Sequence, residues 1–323
     1  MTDYVTTATS TSNNGVVLSD ALLTVHSSEV LYAAQPNTRF IQVASRKTEL
    51  GVAPGLTIQF LKYSALTGDG ILTENEDIAT ANLASSNVGI TVSEHGKAVS
   101  MTELLLRSSF DDVMASATRV LGAHYAVTQD SDIRKALLAG TNVIYGGGKA
   151  SRALVTANDK LTVSVIKNAV ETLATNKAPK ISLEGREPAY VHFGHPSQYR
   201  DLKDDSEWIS AASYGDPARI FRGEIGRIDD VIFIETTQVP YIDTSGDVFV
   251  DGVDSGANLT QGSVDIYRGV LCADHCVGFA ESLPVELRDN GVQDFNRKHE
   301  LAWYSIYGVA LIETGHSLII ETA

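Results

Sequence analysis

The chain has 323 residues, 43% of them apolar and 20% charged, which suits a folded protein with a sizeable core and argues against wholesale disorder. Forty acidic against 25 basic side chains leave a net charge of -15, which opposes generic nucleic-acid binding because that needs clustered Lys and Arg. No apolar run approaches the roughly 20 residues that span a bilayer, and "MTDYVTTATSTSNNG" lacks a signal peptide's basic start and apolar stretch, so a cytosolic, membrane-free protein is expected.

Residues 1–15 are rich in Ser and Thr and bury too little to offset their own ordering entropy, which favours packing against a neighbour. Residues 19–35 read as a helix stopped by Pro36. Leu56, Ile58 and Phe60 then alternate with polar residues, as do Val88, Ile90 and Val92, predicting two strands. The long connection between them carries Gly68-Asp69-Gly70 and the acidic group Glu74, Glu76 and Asp77. An isolated two-stranded ribbon is marginal in water, so this hairpin is expected to lie on another subunit.

Ser100 and Glu103 have the spacing of a capping box, opening a helical stretch to about Gly140 with a stripe of Val113, Ala117, Val120, Leu121, His124, Ile133, Ala136 and Leu137. His124 on that stripe is expected to be a packed core histidine, and Gly122 is placed to bend the helix. If continuous, the helix would be on the order of 60 Å long and would run beyond its own core.

"IYGGGKASR" (144–152) superficially resembles a phosphate loop, but Val143 stands where the first glycine belongs and Ala150 where the magnesium-binding hydroxyl belongs. Gly146, Gly147 and Gly148 are therefore expected to stop the preceding helix and act as a hinge. Val163, Ile166, Ala169, Val170 and Leu173 predict an amphipathic helix closed by "NKAPK". "YVHF" (190–193) reads as a strand, Pro196 as the first residue of a helix, and "VIFIETT" (231–237) as a strand buried on both faces. Residues 243–262 read as a surface loop, and the end as strands around Gly315-His316.

Reactive chemistry is thin. "CADHC" (Cys272, His275, Cys276) and "HFGH" (His192, His195) are the strongest metal candidates, since zinc takes thiolate and imidazole ligands. Their flanks look like strands, and the competing reading is two small buried cysteines with His192 on a strand face and His195 satisfying free N–H groups at a helix start. "HELAW" (299–303) has Trp303 in place of a zincin's second histidine, and Trp303, Tyr304 and Tyr307 read as core packing. Asp243, Asp247, Asp251 and Asp254 lack an EF-hand's order. No nucleophile, base and oxyanion site assemble, so no catalytic residue, cofactor or metal is assigned.

Five blocks in order, "PGLTIQFLKYSAL", "ITVSEHGKAVSMTELL", "RKALLAGTNVIYGGG", "LTVSVIKNAVETL" and "HPSQYRDLKDDSEWISAASYGDPARIFRGEIGRIDDVIFIETT", resemble the tailed-phage major capsid proteins of the N-four type, with the Hong Kong 97 fold. Gly223, Glu224, Gly226 and Arg227 carry the most specific part. The resemblance implies an α+β chain with an N-terminal arm (1–55), an extended β-hairpin loop (56–100), a peripheral domain with a spine helix (101–155), an axial domain (156–294) and a return to the peripheral domain (295–323). It implies a non-enzymatic major capsid protein, forming hexamers and pentamers that close an icosahedral shell around double-stranded DNA. Its partners would be its own copies, a portal, decoration or scaffolding proteins, and DNA held without sequence readout. It would be found in the virion after assembly in the bacterial cytoplasm. Lys62, Tyr63, Glu74, Glu76 and Asp77 are the expected inter-subunit contacts. The alternative is a cytosolic metal-binding or enzymatic protein using the Cys272/His275/Cys276 and His192/His195 cluster.

Overall fold

The computed structural model describes residues 38–48, 56–63, 80, 82–109, 112–183, 186–205, 208, 224–228, 230–259 and 264–323. The Ser/Thr-rich opening, the helix expected over 19–35, Gly223, and Glu74, Glu76 and Asp77 lie outside the described residues. In chain order the elements are β1 (Ala44–Lys47), β2 (Thr57–Tyr63), β3 (Ser85–Thr91), β4 (Ser93–Thr102), α1 (Glu103–Ser108), α2 (Val113–Leu138), β5 (Val143–Tyr145), α3 (Val163–Thr175), β6 (Ile181–Leu183), β7 (Arg186–Gly194) and α4 (Pro196–Lys203). They continue with β8 (Glu224–Ile228), β9 (Val231–Glu235), β10 (Tyr241–Ile242), β11 (Asp247–Val250), β12 (Val253–Asn258), β13 (Ile266–Cys272), β14 (Val277–Gln293), β15 (Lys298–Leu311) and β16 (Ser317–Thr322). No helix among them is long and apolar enough to cross a membrane.

The strands form two main sheets. One has four strands in the order β1-β14-β15-β4; the other runs β12-β11-β10-β13-β7-β9-β8, with β16, β5 and β6 joined to it. The centre of the larger sheet is covered on both faces, which is why β9 is buried at four successive positions. On one face Val163, Ile166, Ala169 and Leu173 of α3, with Tyr199 and Leu202 of α4, pack on Tyr190, Phe233, Leu271 and Ile320. On the other, Ile133 and Leu137 of α2 join Phe40, Val191, Phe193, Ile234 and Cys272.

Helix α2 braces both sheets. Its first half buries Ala117 and Leu121 against Met101, Leu301 and Trp303 of the four-stranded sheet, while its second half enters the core of the larger one. Asp130, on this helix and 1% exposed, accepts the backbone N–H groups of Arg39 and Ile41, each at 3.1 Å, and so fixes the segment leading into β1. One turn on, Arg134 donates to the carbonyl of Gln238 at 3.1 Å. These buried polar groups are paired, as burial requires.

Several expectations are corrected. The first helical turn is capped by Thr102, whose hydroxyl accepts from Leu105 N–H, whereas Ser100 sits in β4 opposite Glu300. The helical stretch is two helices, because Asp112 starts α2 afresh by accepting from Met114 and Ala115. With 26 residues α2 is about 39 Å long and passes through Gly122. It ends at Leu138, and β5 separates it from the glycine run, so Gly146–Gly148 do not stop it. His124 is exposed; its Nδ1 accepts the indole N–H of the buried Trp303 at 3.2 Å. Tyr304 is only half-buried, with the Arg288 guanidinium 3.9 Å above its ring. Residues 247–258 are a hairpin that extends the larger sheet, β11 pairing with both β10 and β12. β14 belongs with β15 in the smaller sheet from Val277 onward, and β16 lies in the larger one against β13.

Candidate functional site

Ile58 and Ile90, opposite each other in the β2–β3 register, are the buried pair of the hairpin. They pack with Val92 and Ala280, and with the partly buried Ile306 and Ala310, rooting the ribbon on the four-stranded sheet. Further out the ribbon loses its core: Leu61 is 54% and Tyr63 58% exposed. Lys62 forms an ion pair with Glu313, and this partner holds the Glu313 carboxyl below its usual range. Two glycines admit the root. A Cβ on Gly278 would meet the Ile90 side chain at 2.7 Å, and one on Gly308 would meet the Thr91 carbonyl oxygen at 2.3 Å.

Gly146, Gly147 and Gly148 form a tight turn between β5 and the segment leading to α3. A Cβ on Gly146 would lie 2.3 Å from the Asp159 backbone oxygen, and one on Gly147 2.0 Å from Asp159 Oδ1. Asp159 is itself fixed, its Oδ2 accepting the N–H and hydroxyl of Thr156, both at 2.8 Å. Gly147 and Gly148 have φ of +62° and +66°, the region that favours glycine, and Gly148 faces open space.

The metal candidates are divided by the sheet. Leu271 stands opposite His192 and Cys272 opposite Val191, so Cys272 faces the α2 side and His192 the α3/α4 side. Both cysteines are wholly buried, and burial pushes the Cys272 thiol well up. His275 points outward, with Ser45 Oγ 3.2 Å from its Nδ1 and the Asp274 carboxylate 3.4 Å from its Nε2. Among the described residues no three His, Cys, Asp or Glu side chains gather as metal ligands. The 299–303 stretch is strand, which also removes the helical spacing a zincin needs.

His192 is a core residue. The Tyr199 hydroxyl lies 2.9 Å from the His192 carbonyl and 2.7 Å from His192 Nδ1, while the buried Nε2 meets no hydrogen-bond partner. Burial lowers its pKa to about 3. A Cβ on Gly269 would come within 2.8 Å of Nε2, so backbone closes the site on that side. His195 caps α4 as its position suggested, accepting from Ser197 N–H at 3.2 Å, while Gln198 Oε1 accepts the His195 N–H. The acidic series is spent on turns: Asp243 Oδ1 accepts from Ser245 and Asp247, and Asp254 Oδ1 from Gly256. None of these groups converges on an open site.

One feature of the surface escaped sequence reasoning. The rings of His195, Tyr267, Tyr241 and Phe249 form a half-buried row across α4, β13, β10 and β11, with successive centroids 4.7, 5.5 and 5.3 Å apart. Asp251-Gly252 between "DVFV" and "VDSGAN" was the available signal for the outermost hairpin.

Residues 8–314 match a family model described as phage capsid protein. The fold is similar to the capsid of Ralstonia phage GP4, at 18% identity over 97% of this chain and 98% of that one, with a TM-score of 0.72. It is similar also to the Cyanophage Pam1 capsid, at 18% identity over 95% and 98% of the two chains and a TM-score of 0.74. The head structure of Helicobacter pylori bacteriophage KHP40 follows at 15% identity, 96% and 97% coverage and a TM-score of 0.67. A comparison with curated proteins finds no match.

Proposed function

We propose, from the premise that this chain belongs to the phage capsid protein family and has the α+β Hong Kong 97-type fold, that it is the major capsid protein of a tailed phage. It is a structural protein of the virion. Its copies associate as hexamers and pentamers into an icosahedral shell around double-stranded DNA, with a portal at the packaging vertex and assembly in the host cytoplasm. The match over residues 8–314 carries this reading.

The mechanism is mechanical. The four-stranded sheet with α2 serves as the peripheral domain, the ten-stranded sheet with α3 and α4 as the axial domain, and β2–β3 as the extended loop. The Ser/Thr-rich residues 1–15 and the outer hairpin gain their stability on neighbouring copies, through Lys62, Tyr63, Glu74, Glu76 and Asp77. An arm and a loop that clasp neighbours can together bury several thousand Å², the range of permanent assemblies. Identical chains close such contacts by symmetry. The Gly146–Gly148 turn lets one sequence take slightly different angles in hexamer and pentamer, and normal shells from the triple alanine variant would remove that role.

Sedimentation and negative-stain imaging of the purified chain test the proposal. Closed shells of uniform size are expected, and a compact monomer at assembly concentrations overturns it.

A further inference from the structure

The tip of the β14–β15 hairpin departs from ordinary surface chemistry. Asp294, Phe295 and Asn296 take φ of +49°, +55° and +69° in succession. Asp and Asn tolerate this region, but for a bulky residue such as Phe it is an outlier. The strained Phe295 is also 98% exposed, so its own chain gives it no burial in return.

Beside it lies a cleft of about 400 Å³, lined by Glu103, Leu106, Met114, Val292, Lys298 and His299. Its walls are held. Glu103 N–H donates to the Arg297 carbonyl at 2.9 Å, and His299 sits 3.2 Å from Met114 Sδ and 3.0 Å from Asp289. One tip therefore presents an apolar knob and an apolar socket side by side. The charged groups flanking them are paired within the chain, Asp294 with Arg297 at 3.8 Å beside the knob and Glu103 with Arg107 at 2.8 Å on the socket's rim.

We infer that Phe295 of one copy seats in the Leu106–Met114–Val292 cleft of another copy, an inference that rests on the reading of this chain as a shell-former. The tip itself favours a second copy over an unrelated partner, because each copy presents both an exposed apolar knob and the apolar cleft beside it. With knob and socket on the same tip, the contact closes as a reciprocal pair or a small ring.

Two experiments on the full chain test this. Phe295→Ser changes a surface residue and leaves melting unchanged, but raises the chain concentration needed for shell assembly by about tenfold; shells forming as readily as wild type overturn the inference. In the second, Phe295→Cys chains and Met114→Cys chains are mixed, assembled and oxidised; the native Cys272 and Cys276 are buried and do not compete. A disulfide joining position 295 of one chain to position 114 of another is expected by mass spectrometry. Shells that form from this mixture without that junction refute the contact. Wild-type chains that form no shells in parallel refute the capsid reading itself.

Discussion

Arg152 grips Glu321 through both carboxylate oxygens, Nε to Oε2 and Nη2 to Oε1, each at 2.7 Å. Arg268 adds a third bond to Oε1 at 2.9 Å, and Glu321 is wholly buried. The bonds to Glu321 raise the Arg152 pKa, while burial lowers that of Arg268. The cluster ties the last strand to β13 and to the turn beyond the glycine run. Glu321→Ala leaves two arginines in the interior without their partner and costs about 3–5 kcal/mol, measured by urea unfolding of the unassembled chain. A loss below 1 kcal/mol would show that water reaches the site.

His192 makes stability depend on acid. Its folded pKa of about 3 lies below the ordinary 6.5, so between those values the unfolded chain binds a proton that the folded chain refuses. This contribution is complete above pH 6.5 and is lost as pH falls toward 3, by about 1.4 kcal/mol per pH unit. His192→Gln keeps a hydrogen-bonding amide for Tyr199 and removes the titration. Its unfolding free energy should fall less steeply than that of wild type between pH 6.5 and 4, and parallel curves would contradict the assignment.

The three glycines are not equivalent. Gly146→Ala drives a methyl into the Asp159 backbone and costs about 3 kcal/mol, whereas Gly148→Ala meets open space and costs about 1 kcal/mol for its positive φ. Equal losses in thermal or urea unfolding would rule out close packing as the reason for the first glycine.

Ile90 is 1% exposed and roots the hairpin. Ile90→Ala costs about 2–5 kcal/mol locally. Hydrogen exchange should show amides of β2 and β3 losing protection while those of α3 keep theirs. Unchanged protection in the ribbon would place its anchor elsewhere.

With a net charge of -15, the shell wall should not grip phosphates. Empty shells should bind DNA weakly, with little change between 50 and 200 mM salt. A steep loss of binding with rising salt would reveal a basic inner surface that the overall charge hides.

Elements whose apolar period was complete within one segment were legible in the sequence. Helix α3, β7, the Pro196 start of α4 and β9 lie where the pattern put them, because Val163, Ile166, Ala169 and Leu173 can be buried only on one helical face. Position 102 was not legible, because β4 stays paired as far as Thr102 opposite Lys298, almost two hundred residues on, which keeps Ser100 in a strand. The β11–β12 hairpin was missed because β12 is exposed throughout and carries no alternation.

By itself the sequence determined the local periods and, through its ordered blocks, the family; those depend on residues close together in the chain. Tertiary structure alone decided which side of a sheet each candidate faces and what the glycines touch. Those outcomes depend on strand register and on contacts such as Gly146 with Asp159 and Cys272 opposite Val191, which bring together groups that no short window of sequence contains.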